Sequence, residues 1–441
     1  MATTKLSRTI GTPTSGTKFT ISAWVKGSMA EGRILTSING NSSQTWVELQ
    51  NSGAFRIANY VGSYNMQLIT TRLFRDPSAW YNFVIAFDTT QVTDTNRVKL
   101  YVNGVQETSF STTTYPSQNL VLKYGVSGQT FNVGAKDTDT YWNGLMSHVH
   151  FIDGLQYAAS DFGSVDSTSG IWTINTSPSV TYGNNGFFIL KDGNSVTDQS
   201  GNSNNFTVGG GTLTNTEDCP DNVFCTINPL DNYWQGSTFA NGNNTVTTGS
   251  NSTTYNTTSF MMATGKFYAE CKVISGAAGN QIGVGSNLTA SVSASLGTGG
   301  EGFVYKENGY YETGGSAVSF GDAYVNGDII GVALDVTSAT PQLYFSKNGV
   351  FQGSGNPSAG TGGKSITAVA STTIGAYFFG FCDTATDNTR VHGWNFGNGY
   401  FATTAVTTNS GNGYAGAEGK SIFNYQPPNL YSALSTKGLN L

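Results

Sequence analysis

His148 and His150 stand two apart in "SHVHF". That spacing places both imidazoles on one face of a strand and would suit two ligands of a zinc ion. No third ligand follows from the spacing, because His392 lies far away, and partly buried, hydrogen-bonded histidines are the favoured reading of the pair. Cys219 and Cys225 lack the two further ligands that zinc needs, with no C-x-x-C and no adjacent histidine. Together with Cys271 and Cys382 in strand-like text, they read as reduced, structural thiols suited to folding in a cytoplasm. Glu301, Glu307 and Glu312 cluster in "EGFVYKENGYYE". Glycoside hydrolysis needs two converging carboxylates, whereas an Asn-Gly turn separates these, so they read as solvated loop charges. The nucleophile pattern G-x-S-x-G is absent, and three histidines leave few candidates for a triad. No catalytic residue is expected.

Aromatic side chains beside hydrogen-bonding groups offer a different chemistry, contact with a sugar ring. Tyr141 and Trp142 lie in "TDTYWNG", and Tyr310 and Tyr311 follow Asn308 in "KENGYYETGG". Neighbours in an extended chain alternate, so one of Tyr310 and Tyr311 should face outward. These five residues are the candidate glycan contacts. The plainer alternative is that aromatics beside turns cover the ends of sheets.

The elements that must carry these residues are strands. "KFTISAWVK" and "KFYAECKVI" alternate, helical periodicity is scarce, and 56 glycines with abundant Ser, Thr and Asn displace the helix formers. "LYVNGVQ" (100–106) and "LYFSKNGVFQ" (343–352) are near-echoes, each with the Asn-Gly pair preferred in two-residue hairpin turns. Each follows an apolar strand closed by an aspartate, "WYNFVIAFD" and "GDIIGVALD". At 441 residues the chain exceeds one ordinary domain. The expected class is all-β: two tandem antiparallel β-sandwich domains, jelly-roll-like, with an extended C-terminal arm. The expected boundaries are 1–200, a linker at 201–232, 233–411, and an arm at 412–441 carrying Pro427 and Pro428. Ser160 and Asp161 could cap a short helix in "LQYAASDFG". The net charge is −6, without a basic run, which gives nucleic-acid binding no electrostatic footing. "SITAVASTTIGAYFFGF" is too short and too polar to span a bilayer, and "MATTKLSRTI" lacks the apolar core of a signal peptide, so membrane insertion is not expected.

Residues 1 to about 155 resemble a laminin-G-like, concanavalin-type jelly roll through "FTISAWVK", "WYNFVIAFD", "RVKLYVNGVQ" and "YWNGLMSHVHFIDG". Residues from about 259 to 400 resemble a SPRY domain through "TGKFYAECKV", "IGVGS", "GDIIGVALDV" and "LYFSKNGVFQG". The order of the pieces, with "DGLQYAASDFG", "DQSGNSNNFT" and "CTINPLD" between them and "FNYQPPNLYSAL" after, is similar to virion structural proteins of tailed bacteriophages of the marine and cyanophage type. The resemblance implies a non-enzymatic protein on the particle exterior, a tail appendage or fibre-type adhesin contacting host surface polysaccharide. The alternative is a capsid decoration protein of the cement or head-fibre kind, and a third reading is a capsule-degrading depolymerase. It also implies synthesis in the host cytoplasm, residence in the virion, other capsid or tail proteins as partners, and a homo-oligomeric state. Laminin-G-like jelly rolls often hold calcium among loop oxygens. Here the candidate loops are "DTTQVTDTN", "KDTDT" and "KDGNSVTDQSGNSNN", around Asp88, Asp94, Asp137, Asp139, Asp192 and Asp198. Ordinary turns use the same residue types.

Overall fold

The computed structural model describes residues 3–27, 30–191, 195–231, 236–249, 254–287, 295–385, 390–406 and 413–440. The protein is all-β, and the helical turns among these residues are short 3₁₀ segments, including Ala159–Asp161 in "LQYAASDFG". The chain divides into two units, Met1–Asn215 and Thr216–Leu441.

The first unit stacks two antiparallel sheets. One has eight strands in the order Phe110–Thr114, Tyr64–Leu73, Ala54–Val61, Ser43–Leu49, Gly32–Ile38, Thr130–Val133, Lys5–Thr9, Thr207–Gly210. The other runs Phe187–Ile189, Gly144–Asp153, Lys18–Gly27, Tyr81–Asp88, Val98–Val102, Val105–Glu107. Alternation decides what each strand buries: Phe19, Ile21 and Val25 of one sheet meet Leu35, Val47, Ile57 and Phe131 of the other in a single core. The second unit repeats the plan. Its larger sheet is built around Lys266–Ser275, flanked by Ile329–Asp335 and Val391–Asn395, and faces a six-stranded sheet centred on Phe378–Asp383 and Asn280–Gly285. Cys271, Val332 and Trp394 meet Ile282, Phe379 and Phe381 between them.

The echoed phrases fold alike. Lys18 pairs across strands with Asp88, and Lys266 with Asp335. Each aspartate accepts both the N–H and the hydroxyl two residues on, from Thr90 and from Thr337. Each following hairpin turns on an Asn-Gly pair with positive φ at both residues: 47° and 80° at Asn103 and Gly104, 49° and 83° at Asn348 and Gly349. Each asparagine Oδ1 accepts a backbone N–H from the start of the strand that precedes the hairpin, of Asn82 at 2.8 Å and of Ile329 at 2.9 Å.

The expected linker and arm are woven into the units instead. Within 201–232, Thr207–Gly210 pairs with Lys5–Thr9 as an edge strand of the first unit. Further on, the Cys225 N–H donates to the Leu434 carbonyl at 2.9 Å, and the Thr436 N–H to the Val223 carbonyl at 2.9 Å. From the arm, Ser432–Ala433 pairs in parallel with Phe267 and Tyr268, just past the point where Val391–Asn395 leaves that strand. Pro427, Pro428, Tyr431 and Leu434 are buried. The reason is apolar burial: Phe423, Tyr431 and Ala433 cover Tyr268, Ala333 and Tyr344 on the sheet face turned away from the central core.

Candidate functional site

A concavity of about 410 Å³ lies on the eight-stranded sheet of the first unit, lined by Arg33, Asn41, Gln44, Trp46, Arg56, Tyr60 and Tyr64. It follows from strand alternation. Val47 and Leu49 point into the core, so Gln44, Trp46 and Glu48 point out; Phe55 and Ile57 point in, so Arg56, Ala58 and Tyr60 point out. Strand register then brings them together. Arg33 stands opposite Glu48, Glu48 opposite Arg56, Gln44 opposite Tyr60, and Tyr60 opposite Tyr64. The small Ala58 opposite Trp46 leaves room for the indole and the guanidiniums around it.

The floor is a buried ionic row. Arg33 Nε donates to Glu48 Oε2 at 2.9 Å, Arg56 Nε donates to Glu48 Oε1, and Arg33 Nη1 donates to Gln44 Oε1 at 2.8 Å. Glu48 is fully buried. The Arg33 guanidinium centre lies 4.1 Å from the Trp46 ring centroid and that of Arg56 lies 5.5 Å away, so the indole is flanked by cations. Burial lowers the Arg33 pKa, with Glu48 pulling the other way and Arg56 adding to the fall. Trp46 is only 2% exposed, and its Nε1–H is buried without a hydrogen-bond partner. Tyr64 forms the open rim at 45% exposure, 5.2 Å edge-on from Tyr60 and 6.1 Å from Trp46.

The residues singled out from sequence lie elsewhere. Trp142 belongs to the core of the first unit, 6% exposed, with its ring against Gly27 and Gly32 and its Nε1–H donating to the Leu145 carbonyl at 3.3 Å. Tyr141 beside it is half-buried. Tyr311 is 7% exposed and packs into the second core, while Tyr310 faces out at 41%. Asn308 is exposed, and its Oδ1 accepts the Tyr310 N–H at 3.3 Å. The glutamates are separately engaged: Glu312 pairs with Lys306 at 2.6 Å, Glu301 accepts from Thr373, and Glu307 keeps a buried Oε2.

His148 and His150 do not share a regular strand face, because the ladder slips between Ser147 and His150 and His148 has a φ of 48°. His148 Nδ1 meets Ser147 Oγ at 2.7 Å, and His150 Nδ1 meets the Tyr182 hydroxyl at 2.9 Å. Burial lowers the His150 pKa well below its usual value. Among the described residues no group of three His, Cys, Asp or Glu could hold a metal ion. The four cysteines are not joined in disulfides, and all but Cys219 are buried.

Among the described residues, most of the aspartates named for calcium are engaged within their own loops or by lysines. Asp88 is consumed by Thr90 and Gln91, and Asp94 accepts the Thr95 N–H. Asp137 pairs with Lys5, and Asp139 with Lys136 and Thr140. Asp198 accepts four times, from Phe188 and Ser200 N–H on one oxygen and from the Ser200 hydroxyl and Asn204 N–H on the other. Asp88 and Asp198 are turn-closing carboxylates with both oxygens facing N–H and O–H groups. Asp192 lies outside the described residues.

Among the described residues no helix is long and apolar enough to cross a membrane. No curated protein sequence matches the chain. Among solved structures it is similar to the SPRY domain of human HERC1, with 17% identity over 38% of this chain and 96% of that one and a TM-score of 0.29. It is similar to a human SPRY domain, with 17% identity over 34% and 91% and a TM-score of 0.26. A heptameric SAP-like pentraxin from Limulus polyphemus is 14% identical over 43% and 89%, with a TM-score of 0.29. Residues 4–159 match the laminin-G-type family described as the Concanavalin A-like lectin/glucanases superfamily. With the two-sheet sandwich those residues fold into, the first unit has a jelly-roll-like, concanavalin A-type fold and is similar to that family over the matched residues.

Proposed function

We propose that the protein is a non-enzymatic structural component of a tailed-phage particle, exposed on its exterior, which holds host surface polysaccharide through the concavity over Trp46. One observation carries the binding reading: Trp46, whose buried indole N–H has no partner, lines an open polar depression rimmed by an exposed tyrosine. A buried donor left unpaired costs about 1–3 kcal/mol, which an entering hydroxyl or carboxylate would recover. Tyr64 supplies a ring face for a sugar, and Arg33, Arg56 and Asn41 supply polar contacts. The family matched by the first unit spans lectins and glucanases, both named for saccharides.

Binding without cleavage is the consistent choice. Glu48 is the one carboxylate on the floor, and both its oxygens are committed to arginines, so it is placed neither to protonate a leaving group nor to attack a sugar. The phage reading is supported by the order of phrases along the chain. Antibody labelling of intact particles in the electron microscope tests it. Label at the tail supports the adhesin, label over the head supports the decoration protein, and absence of label from purified virions contradicts both.

A further inference from the structure

We infer that the concavity is built for an anionic group, the carboxylate or sulfate of an acidic polysaccharide; this rests on the saccharide-binding reading above. The inference comes from counting donors against acceptors. The acceptors on the floor are spent: Glu48 Oε1 and Oε2 each receive an arginine Nε–H, and Gln44 Oε1 receives Arg33 Nη1–H. Even the Gln44 amide N–H is turned away, onto the Asn41 carbonyl at 3.1 Å. On the floor, what remains to meet a ligand donates, while around it the Asn41 amide and the Tyr60 and Tyr64 hydroxyls can both donate and accept. The Trp46 Nε1–H has no partner, and a guanidinium carries five donors, more than these contacts use. A neutral sugar hydroxyl both donates and accepts, so against this floor half of its capacity would go unmet. A carboxylate or sulfate ester only accepts.

Charge agrees with the count. The floor holds two guanidiniums and one carboxylate, Arg33, Arg56 and Glu48, whose side chains are 6%, 16% and 0% exposed. The remaining balance falls to Glu31, at the rim and 38% exposed, 3.4 Å from Arg56 Nη2. A rim carboxylate at that distance is weakly held, and a ligand anion can take its place on Arg56. Tyr64 then contacts the sugar ring that carries the anion.

The test titrates the intact chain by calorimetry with oligogalacturonate, dextran sulfate and unmodified dextran oligosaccharides. The expected result is that an acidic chain binds at least about tenfold more tightly than dextran, and that added salt weakens it. Trp46→Phe keeps the ring and removes the N–H; it should weaken the acidic ligand by about tenfold with the fold intact by circular dichroism. Tyr64→Ala, at the exposed rim, should weaken every saccharide that binds. The Trp46→Phe loss with oligogalacturonate supports a carboxylate, and with dextran sulfate a sulfate ester. Dextran binding as tightly as both acidic chains, or acidic binding indifferent to Trp46→Phe, overturns the inference and leaves the adhesin standing. Binding of none of the three overturns both.

Discussion

The ring of Tyr425 lies on Gly349, so close that a Cβ there would sit 2.5 Å from Tyr425 Cδ1. Trp172 covers Gly104 in the same way in the first unit. Each glycine has a φ that a side chain strains, 83° and 80°. Gly349→Ala should therefore cost about 1–3 kcal/mol from conformation and overlap combined. In thermal unfolding of the intact chain, that loss should fall on the second unit's transition alone; Gly104→Ala should lower the first.

Glu270 is the buried partner of the same segment, accepting the N–H groups of Asn424 at 2.9 Å and Tyr425 at 2.8 Å. Burial pushes its pKa up to about 7, against the pull of those N–H groups, Asn395 and Tyr268. Between the unfolded value near 4.5 and about 7, the native state holds a proton that the unfolded chain has lost. Its contribution is therefore complete below pH 4.5 and is lost as pH rises through 7, by up to about 3 kcal/mol. His392, lowered to about 3 by burial and then by Arg390, works in the opposite sense and loses stability as pH falls from 6.5. Denaturant unfolding of wild type and Glu270→Gln separates the two. The stability difference, wild type minus variant, should fall as pH rises from 4.5 to 8.

The C-terminal residues are structural before they can be adhesive. Removing 413–441 strips Phe423, Tyr431 and Leu434 from the second unit, each worth about 1.5–3 kcal/mol of burial. Dye binding should reveal the uncovered faces of Tyr268 and Tyr344, with a lower or lost second transition. Attachment to a particle is better probed at Leu430, 74% exposed on that segment. Leu430→Ser should leave the fold unchanged, and lost incorporation into virions would place the attachment surface there.

Trp142→Ala should cost about 3–5 kcal/mol of first-unit stability, the usual loss for a core aromatic. The fall should appear in unfolding curves, and saccharide binding by the fraction still folded should be unchanged.

Much of the fold was legible because alternation and turn chemistry are local. "KFTISAWVK", the closing Asp88 and the Asn103-Gly104 pair each announce their element within a few residues, and Lys266, Asp335 and Asn348 repeat the message. The site was not legible in the same way. Aromatics near asparagine, as at Tyr141-Trp142 and Asn308-Tyr310, are a local signal, and the fold turns Trp142 and Tyr311 inward. Arg33, Trp46, Arg56 and Tyr64 come from four strands and meet only through register, which depends on turn lengths and a slip between Arg33 and Leu35. A signal was present: Gln44, Trp46, Glu48 and then Arg56, Ala58, Tyr60 put polar and aromatic residues on the outward positions of neighbouring strands. The burial of the C-terminal segment was hidden for another reason. Pro427 and Pro428 forbid a ladder but not docking.

Saccharide holding without cleavage is tested most directly by mixing the intact chain with surface polysaccharide from a host cell and following both by size-exclusion chromatography with light scattering. Co-elution of the protein with a polymer of unchanged mass is the predicted result. Protein that elutes alone, or a polymer whose mass falls with time, would contradict it.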